Sequence, residues 1–301
     1  MRAEIEKVVE LIRRKDPRSM EQALALLQNT IFSFSMKVCG QRQDAEDTMQ
    51  EVLLKSVPNL QKFDNPKALL VWLYKVAKTR CLMSRRKSKF APREALSLEE
   101  LMPDRREMET MSGNSQGTPE TSLMRRESAK RLREAVQKLP PDYRLVLVLH
   151  DMEELSDSEI AEITGLRPGT VRVRLHRARL FVRKELARQA ASHAHSAPEK
   201  KNGESVSPIQ PRQRRCKEMF ADLSNYLDDE LDDSLCEELE KHMKGCEPCV
   251  SFLASLEKSI DQCRHEPDQL PDPNIAAKLR RDVMSRYHDA MVAASKSGKA
   301  S

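Results

Sequence analysis

Glycine and aromatic residues are scarce. The 301-residue chain has 8 glycines, one tryptophan and 4 % aromatics, against 33 % charged residues. This balance poorly fits a β-sandwich or a large α/β core and suits an all-α protein of small modules. No stretch approaches the roughly 18 apolar residues of a membrane span. The opening segment, "MRAEIEKVVELIRRKD", is charged and amphipathic and lacks a signal peptide's apolar core. The chain is therefore expected in the cytoplasm, away from membranes. It has no phosphate-binding loop and no nucleophile–base constellation, so it is not expected to be an enzyme. There is no internal repeat. Seven cysteines in a reducing compartment point to free thiols and metal ligands rather than a disulfide framework. Cys39 and Cys81 fall in helical patterns and are expected as core thiols.

What the chain does contain is helical signal in three blocks. The first spans 15–90. "SMEQALALLQNTIFSFSMKV" is amphipathic, and "DAEDTMQEVLLKS" carries acids in its first turn and Met49, Val52, Leu53 and Val57 on one face. Asn65 and Pro66 suit the cap and first position of another helix, which ends in a basic run. A linker at 91–121 contains "MSGNSQGTPETS". The second block is 122–188, and a polar linker at 189–212 connects it to the third. As a flexible coil of about 20 residues this linker spans roughly 25 Å, enough for the third block to fold back on the first two. The third block, 213–265, precedes a last helix and tail at 266–301.

The second block holds the sharpest motif. Ser156 and Glu159 form a capping-box pattern, with Ile160 and Ile163 facing inward. Gly165 sits in a tight turn and Pro168 starts the next helix. There Val171, Leu175, Ala178, Val182 and Leu186 make an apolar stripe, and Arg172, His176, Arg179 and Arg183 a separate one. From 167 to 188 there are eight Arg or Lys and one acid, Glu185. This is a helix-turn-helix pattern, whose second helix reads the major groove. Arginine suits that task because its planar fork bonds guanine or phosphate. A merely solvated helix would suffer repulsion among so many like charges.

"LPPDYRLVLVLHDMEELSDSEIAEITGLRPGTVRVRLHRARLFVRKEL" resembles the fourth region of extracytoplasmic-function (ECF) sigma factors. "DAEDTMQEVLLKS" and "FDNPKALLVWLYKVAKTRCLMSRRK" are similar to the polymerase-binding helix and promoter-opening segment of that family's second region. The chain departs from the family at Thr79 and Met83, where members often have Asn and Asp. The resemblance implies two helical sigma domains, the second with a helix-turn-helix, joined by a flexible linker. Core RNA polymerase would bind Asp44, Asp47, Gln50, Glu51 and Leu54. Lys78, Arg80, Arg85 and Arg86 would hold the opened −10 element, with Phe63, Trp72 and Tyr74 as stacking surfaces. Arg172, His176 and Arg177 would read the −35 element, with Thr170, Arg174 and Arg179 nearer phosphate.

The third block carries "HMKGCEPC". Zinc prefers four thiolate or imidazole ligands in a tetrahedron. Cys216, His242, Cys246 and Cys249, in the pattern C-x25-H-x3-C-x2-C, resemble the zinc-containing anti-sigma domain. One Zn2+ is expected there, in a small helical domain that contacts its own sigma domains. Residues 218–240 hold ten Asp or Glu and no Lys or Arg, opposite in charge to the DNA-reading helix. Cys236, Cys263 and His265 stand outside the pattern. The rival function is a metal- or redox-responsive repressor that acts without polymerase. A second rival is an anti-sigma sink without promoter activity, which the intact Arg-rich helix disfavours.

Overall fold

The computed structural model describes residues 2–56, 59–84, 95–103, 107, 122–194, 223–228 and 231–297. The described residues contain helices and no strand. They group into two compact units. One comprises Met1–Pro92, Leu155–Leu166 and Pro267–Ser301; the other Arg93–Glu154 and Arg167–Glu266.

The first unit is built on α1 (Arg2–Arg13), α2 (Pro17–Cys39), α3 (Arg42–Ser56), a 3-10 turn at Leu60–Lys62 and α4 (Pro66–Ser84). Asp16 caps α2 by accepting from the Ser19 amide at 2.9 Å, and Pro17 comes next with its φ already set. Gly40 closes the helix at φ 74°, a left-handed geometry that favours glycine. Fifteen of the 23 residues of α2 are buried, so neighbours surround it on several sides. One neighbour is α1, whose Ile5, Val8, Val9 and Ile12 form a buried stripe. The sequence pattern opens the first domain at 15, yet α1 belongs to this unit. Asn65 accepts from the Lys67 amide at 2.9 Å at the start of α4.

Cys39 and Cys81 are joined by a disulfide with Cα atoms 5.5 Å apart, where free thiols are expected from the sequence. Helical periodicity puts both residues on inward faces. It carries no information that those two faces converge.

Two later segments complete this unit. α8 (Asp157–Thr164) lies against α4, with Lys75 bonded to Glu162 at 2.9 Å and Lys78 to the Ile163 carbonyl at 2.7 Å. α13 (Pro273–Ser297) lies along α2 through buried Ala276, Leu279 and Val283. α2 is unusual in burying Gln28, Ser33 and Lys37. Here Gln28 donates to the Ala276 carbonyl at 2.9 Å and accepts from Arg280 at 2.8 Å. Asp268 accepts from Ser33 at 2.6 Å and from Lys37 at 2.9 Å. Buried polar groups demand such partners. The C-terminal segment supplies them.

The second unit contains α5 (Leu98–Leu101), α6 (Ser122–Lys138), α7 (Pro141–Leu147) continuing as a π-turn over Val148–Met152, α9 (Pro168–Ala194), α10 (Leu223–Leu227), α11 (Asp233–Met243) and α12 (Glu247–Arg264). Its core joins Leu180 of α9 to Leu223, Leu239, Phe252, Leu256 and Ile260 of α10–α12. Leu101 and Met102, inside the stretch whose composition suggests a linker, are buried in the same cluster. α9 thus carries apolar contacts beyond the single stripe its periodicity shows.

Candidate functional site

The capping box forms as the sequence predicts. The Ser156 amide donates to Glu159 Oε2 at 2.8 Å, and Ser156 Oγ accepts from the Glu159 amide. Gly165, at φ 75°, takes the left-handed position after α8. The chain then enters α9, where Val171, Leu175, Ala178 and Val182 are buried.

The basic stripe of α9 divides in two. Thr170 and Arg172 are exposed, and Arg174 and Arg177 are half-buried. Arg174 lies 3.6 Å from Asp142 and over the Tyr143 ring. Val173 is 51 % exposed between them, an apolar side chain of the kind that meets a thymine methyl. Its lack of charge hides it within an Arg-rich run. His176, Arg179 and Arg183 are instead 7 %, 1 % and 3 % exposed.

Arg179 is the node of a buried ionic cluster. It donates to Asp151 at 2.9 and 2.6 Å, and to Asp228 at 2.6 and 2.9 Å. Asp151 lies in the π-turn after α7; Asp228 directly succeeds α10 in the C-terminal domain. Burial opposes the charge on Asp151, yet Arg179 holds its carboxyl well below the usual range. Burial likewise opposes the charge on Arg179, and the two carboxylates hold it fully protonated. His150 joins at 2.9 Å from Asp151. Arg179, expected near phosphate, is in this structure paired with carboxylates on both sides. His176 also points inward. Burial, then Arg179 and Arg177, push its imidazole down to about 4, so it is uncharged at neutral pH.

One turn further, the guanidinium of Arg183 stacks on Phe252 of α12, 4.2 Å from the ring centre. Asp228 and Phe252, like Asp151 and Val173, are site residues that sequence patterns miss. Asp228 belongs to the acidic stretch that does stand out, but nothing in the sequence singles it out there.

The residues expected to meet the −10 element lie on α4 and beyond it. Lys78 is engaged with the Ile163 carbonyl, and Arg80 with Glu51 at 3.1 Å. Arg85 and Arg86 lie outside the described residues. Of the expected stacking rings, Tyr74 is buried against Phe34, 4.4 Å between ring centres, because its position on α4 faces the core. Phe63 and Trp72 are half-buried and paired at 5.6 Å. On α3, Asp47 and Gln50 are exposed, while Asp44, Glu51 and Leu54 are half-buried. Glu51 is also bonded to Lys55 at 2.6 Å.

The candidate metal centre occupies the turn between α11 and α12. His242 lies in the last turn of α11, Cys246 caps α12 and Cys249 lies in its first turn. The His242 Nε2–Cys249 Sγ and Cys246 Sγ–Cys249 Sγ distances are both 3.3 Å, and the three donor atoms lie within 4.8 Å of one another. Ligands about 2.0–2.3 Å from a tetrahedral ion are separated by roughly 3.5 Å, so the donor set fits zinc in kind and spacing. Cys216 lies outside the described residues. Cys236 is half-buried. Cys263 is buried, which pushes its thiol up, and His265 is exposed beside Asp261 at 3.0 Å.

Comparison with known proteins matches residues 24–90 to "Sigma-70 region 2", 129–182 to "Sigma-70, region 4" and 216–249 to "Putative zinc-finger". Among curated relatives, the ECF RNA polymerase sigma factor SigW of Bacillus subtilis is 29 % identical over 182 residues, 60 % of this chain and 96 % of that protein. RNA polymerase sigma factor SigV of the same organism is 30 % identical over 152 residues, 50 % of this chain and 81 % of its own length. The RNA polymerase sigma-H factor of Pseudomonas aeruginosa is 28 % identical over 185 residues, 60 % and 93 % of the two chains. Two sigma regions in order, a capped helix-turn-helix and this likeness over most of the relatives' length make the chain a member of the ECF family of RNA polymerase sigma factors, extended by a C-terminal zinc-finger domain.

Proposed function

We propose that this sigma factor directs promoter-specific initiation in the cytoplasm and is held in a closed state by its own C-terminal domain. Core polymerase engages α3 through Asp44, Asp47, Gln50, Glu51 and Leu54. The −35 element meets the exposed start of α9 through Thr170, Arg172 and Arg177, with Val173 beside them. One Zn2+ bound by Cys216, His242, Cys246 and Cys249 fixes the turn that orients α12.

The observation that carries the closed state is the clamp on α9: Asp228 forks onto Arg179, and Phe252 covers Arg183. Both arginines sit on the DNA-reading helix, and each is covered by a residue outside the sigma regions, Arg179 in addition to its partner Asp151 within region 4. A second observation agrees. The segment from Asp268 to Arg280 occupies the polar face of α2, the helix that precedes the proposed polymerase-binding α3 in sigma region 2.

Asp228→Asn tests the clamp. Arg179 keeps Asp151, so its charge stays paired, and a loss of about 1.5–3 kcal/mol of charged hydrogen bonding falls mainly on the clamp. Transcription by full-length protein with core polymerase should rise by about ten-fold or more if closure limits activity. Unchanged or lower activity from a folded Asp228→Asn protein argues against the clamp.

A further inference from the structure

On the exposed start of α9 two residues serve neither the helix nor its packing. Val173 is 51 % exposed, whereas Val171, Leu175, Ala178, Leu180 and Val182 of the same helix are 2 % exposed or less. A β-branched side chain is also a poor helix former, because its χ1 is confined, and at 173 no burial offsets that cost. Gly169, one turn earlier on the same face, is the second. Its φ is not left-handed, and a Cβ placed there would meet no atom of the described residues within 4 Å. Alanine would fit and would favour the helix, so neither backbone geometry nor packing asks for glycine at 169.

Together they leave a bare, apolar strip of helix among cations. Arg172 is exposed next to Val173, and Arg177 lies half-buried one turn beyond it. Arg174, the other neighbour, lies 3.6 Å from Asp142 and over the Tyr143 ring, and leaves Val173 uncovered. The chemistry of the major groove says what such a strip can meet. Base edges there present donors, acceptors and one kind of apolar group, the C5-methyl of thymine. Arginine reads the first two. Valine has neither donor nor acceptor on its side chain, and its favourable contact is with the third. A helix face without a side chain at 169 lets the backbone come close enough for a side chain as short as valine to reach a base edge.

We propose that Val173 is a specificity-determining residue that reads the C5-methyl of a thymine in the −35 element, with Gly169 permitting the close approach this contact needs. The inference rests on the reading of α9 as the −35 helix. It adds a base identity that the arginines do not specify, since their forks select guanine or phosphate. It does not depend on the closed state, because Val173 is exposed while Arg179 and Arg183 are covered.

The test uses holoenzyme assembled from full-length, zinc-loaded protein and core polymerase. Promoter duplexes are selected from a randomised library, and the −35 element is the block whose preference Arg177→Ala relaxes. One position of that block should be a fixed A·T pair. Replacing its thymine by deoxyuridine removes the methyl and leaves every donor and acceptor of the base in place. Affinity should fall about three- to four-fold, the value for one buried methyl. In Val173→Ser, an exposed change that leaves the core alone, the thymine and uracil duplexes should bind equally. Three results overturn the inference and leave the −35 reading intact. One is a selected block without a fixed A·T pair. Another is native affinity that uracil changes at no position of the block. The third is a uracil penalty that persists in Val173→Ser, which would pass the contact to another residue such as Thr170. A library in which Arg177→Ala alters no preference removes the −35 reading itself, and this inference with it.

Discussion

Four arginines on one helix have different fates, and the difference is burial. Arg172 and Arg177 keep contact with solvent, whereas Arg179 and Arg183 are enclosed. Arg177→Ala should therefore relax sequence preference in the −35 element at a cost of about 1–3 kcal/mol, read from binding to a promoter library. Arg179→Met should act through the fold. It leaves Asp151 charged and buried without its main partner, which costs about 3–5 kcal/mol in urea unfolding. His176 adds a pH signature. Its folded imidazole titrates at about 4 against about 6.5 when unfolded, so the folded state binds fewer protons in that window. Its contribution is complete above about pH 6.5. Up to about 3 kcal/mol is lost as pH falls to about 4. Unfolding at pH 7 and pH 5, compared between the native protein and His176→Gln in the same buffers, should show a smaller acid loss in the variant. An equal loss would place the effect elsewhere. The stripe of basic residues is legible in the sequence. Which of its members face inward is not, because periodicity fixes a side chain's direction from the helix axis and says nothing about what packs there.

Among the elements, those governed by local chemistry are the most legible. The Ser156–Glu159 box, the Gly165 turn and the Asn65–Pro66 start all depend on residues within one turn, and all form. α1 and α5 depend on distant partners, and local pattern alone places them outside the domains they join. The same holds for the Cys39–Cys81 bond, whose two residues are 42 apart in sequence. The metal turn shows both cases. Its HxxxCxxC spacing names three ligands that do converge, while the way α12 delivers Phe252 onto α9 is a tertiary fact. Thiolate ligation couples metal to folding, so chelation should raise amide exchange in α11 and α12 while α2 and α4 keep their protection. Metal content should be about one Zn2+ per chain and should fall in each of the Cys216, His242, Cys246 and Cys249 alanine variants. Full content in the Cys216 variant would remove it from the site. The polar face of α2 gives a further expectation. Deleting residues 267–301 leaves Gln28, Ser33 and Lys37 facing water, an acceptable solvent for them, and should raise affinity for core polymerase by about ten-fold. Unchanged affinity would mean that α13 covers a face polymerase does not use.

For the whole molecule, composition indicates an all-α protein, the resemblance of its motifs indicates a sigma factor with a zinc-finger-like extension, and the family matches agree with both. What neither provides is the reason for the extension's acidic stretch. The structure gives it a partner: one carboxylate, Asp228, enters a pair that the sigma region already makes between Arg179 and Asp151. A domain tethered to its target needs only a weak contact, since the tether supplies millimolar effective concentration. Such a contact is also easily released. The most direct test compares full-length protein with a 1–199 truncation in transcription with core polymerase on a promoter both recognise. Closure in cis requires the truncation to be the more active, with Asp228→Asn between the two. A truncation that is less active than, or equal to, the full chain would contradict the account.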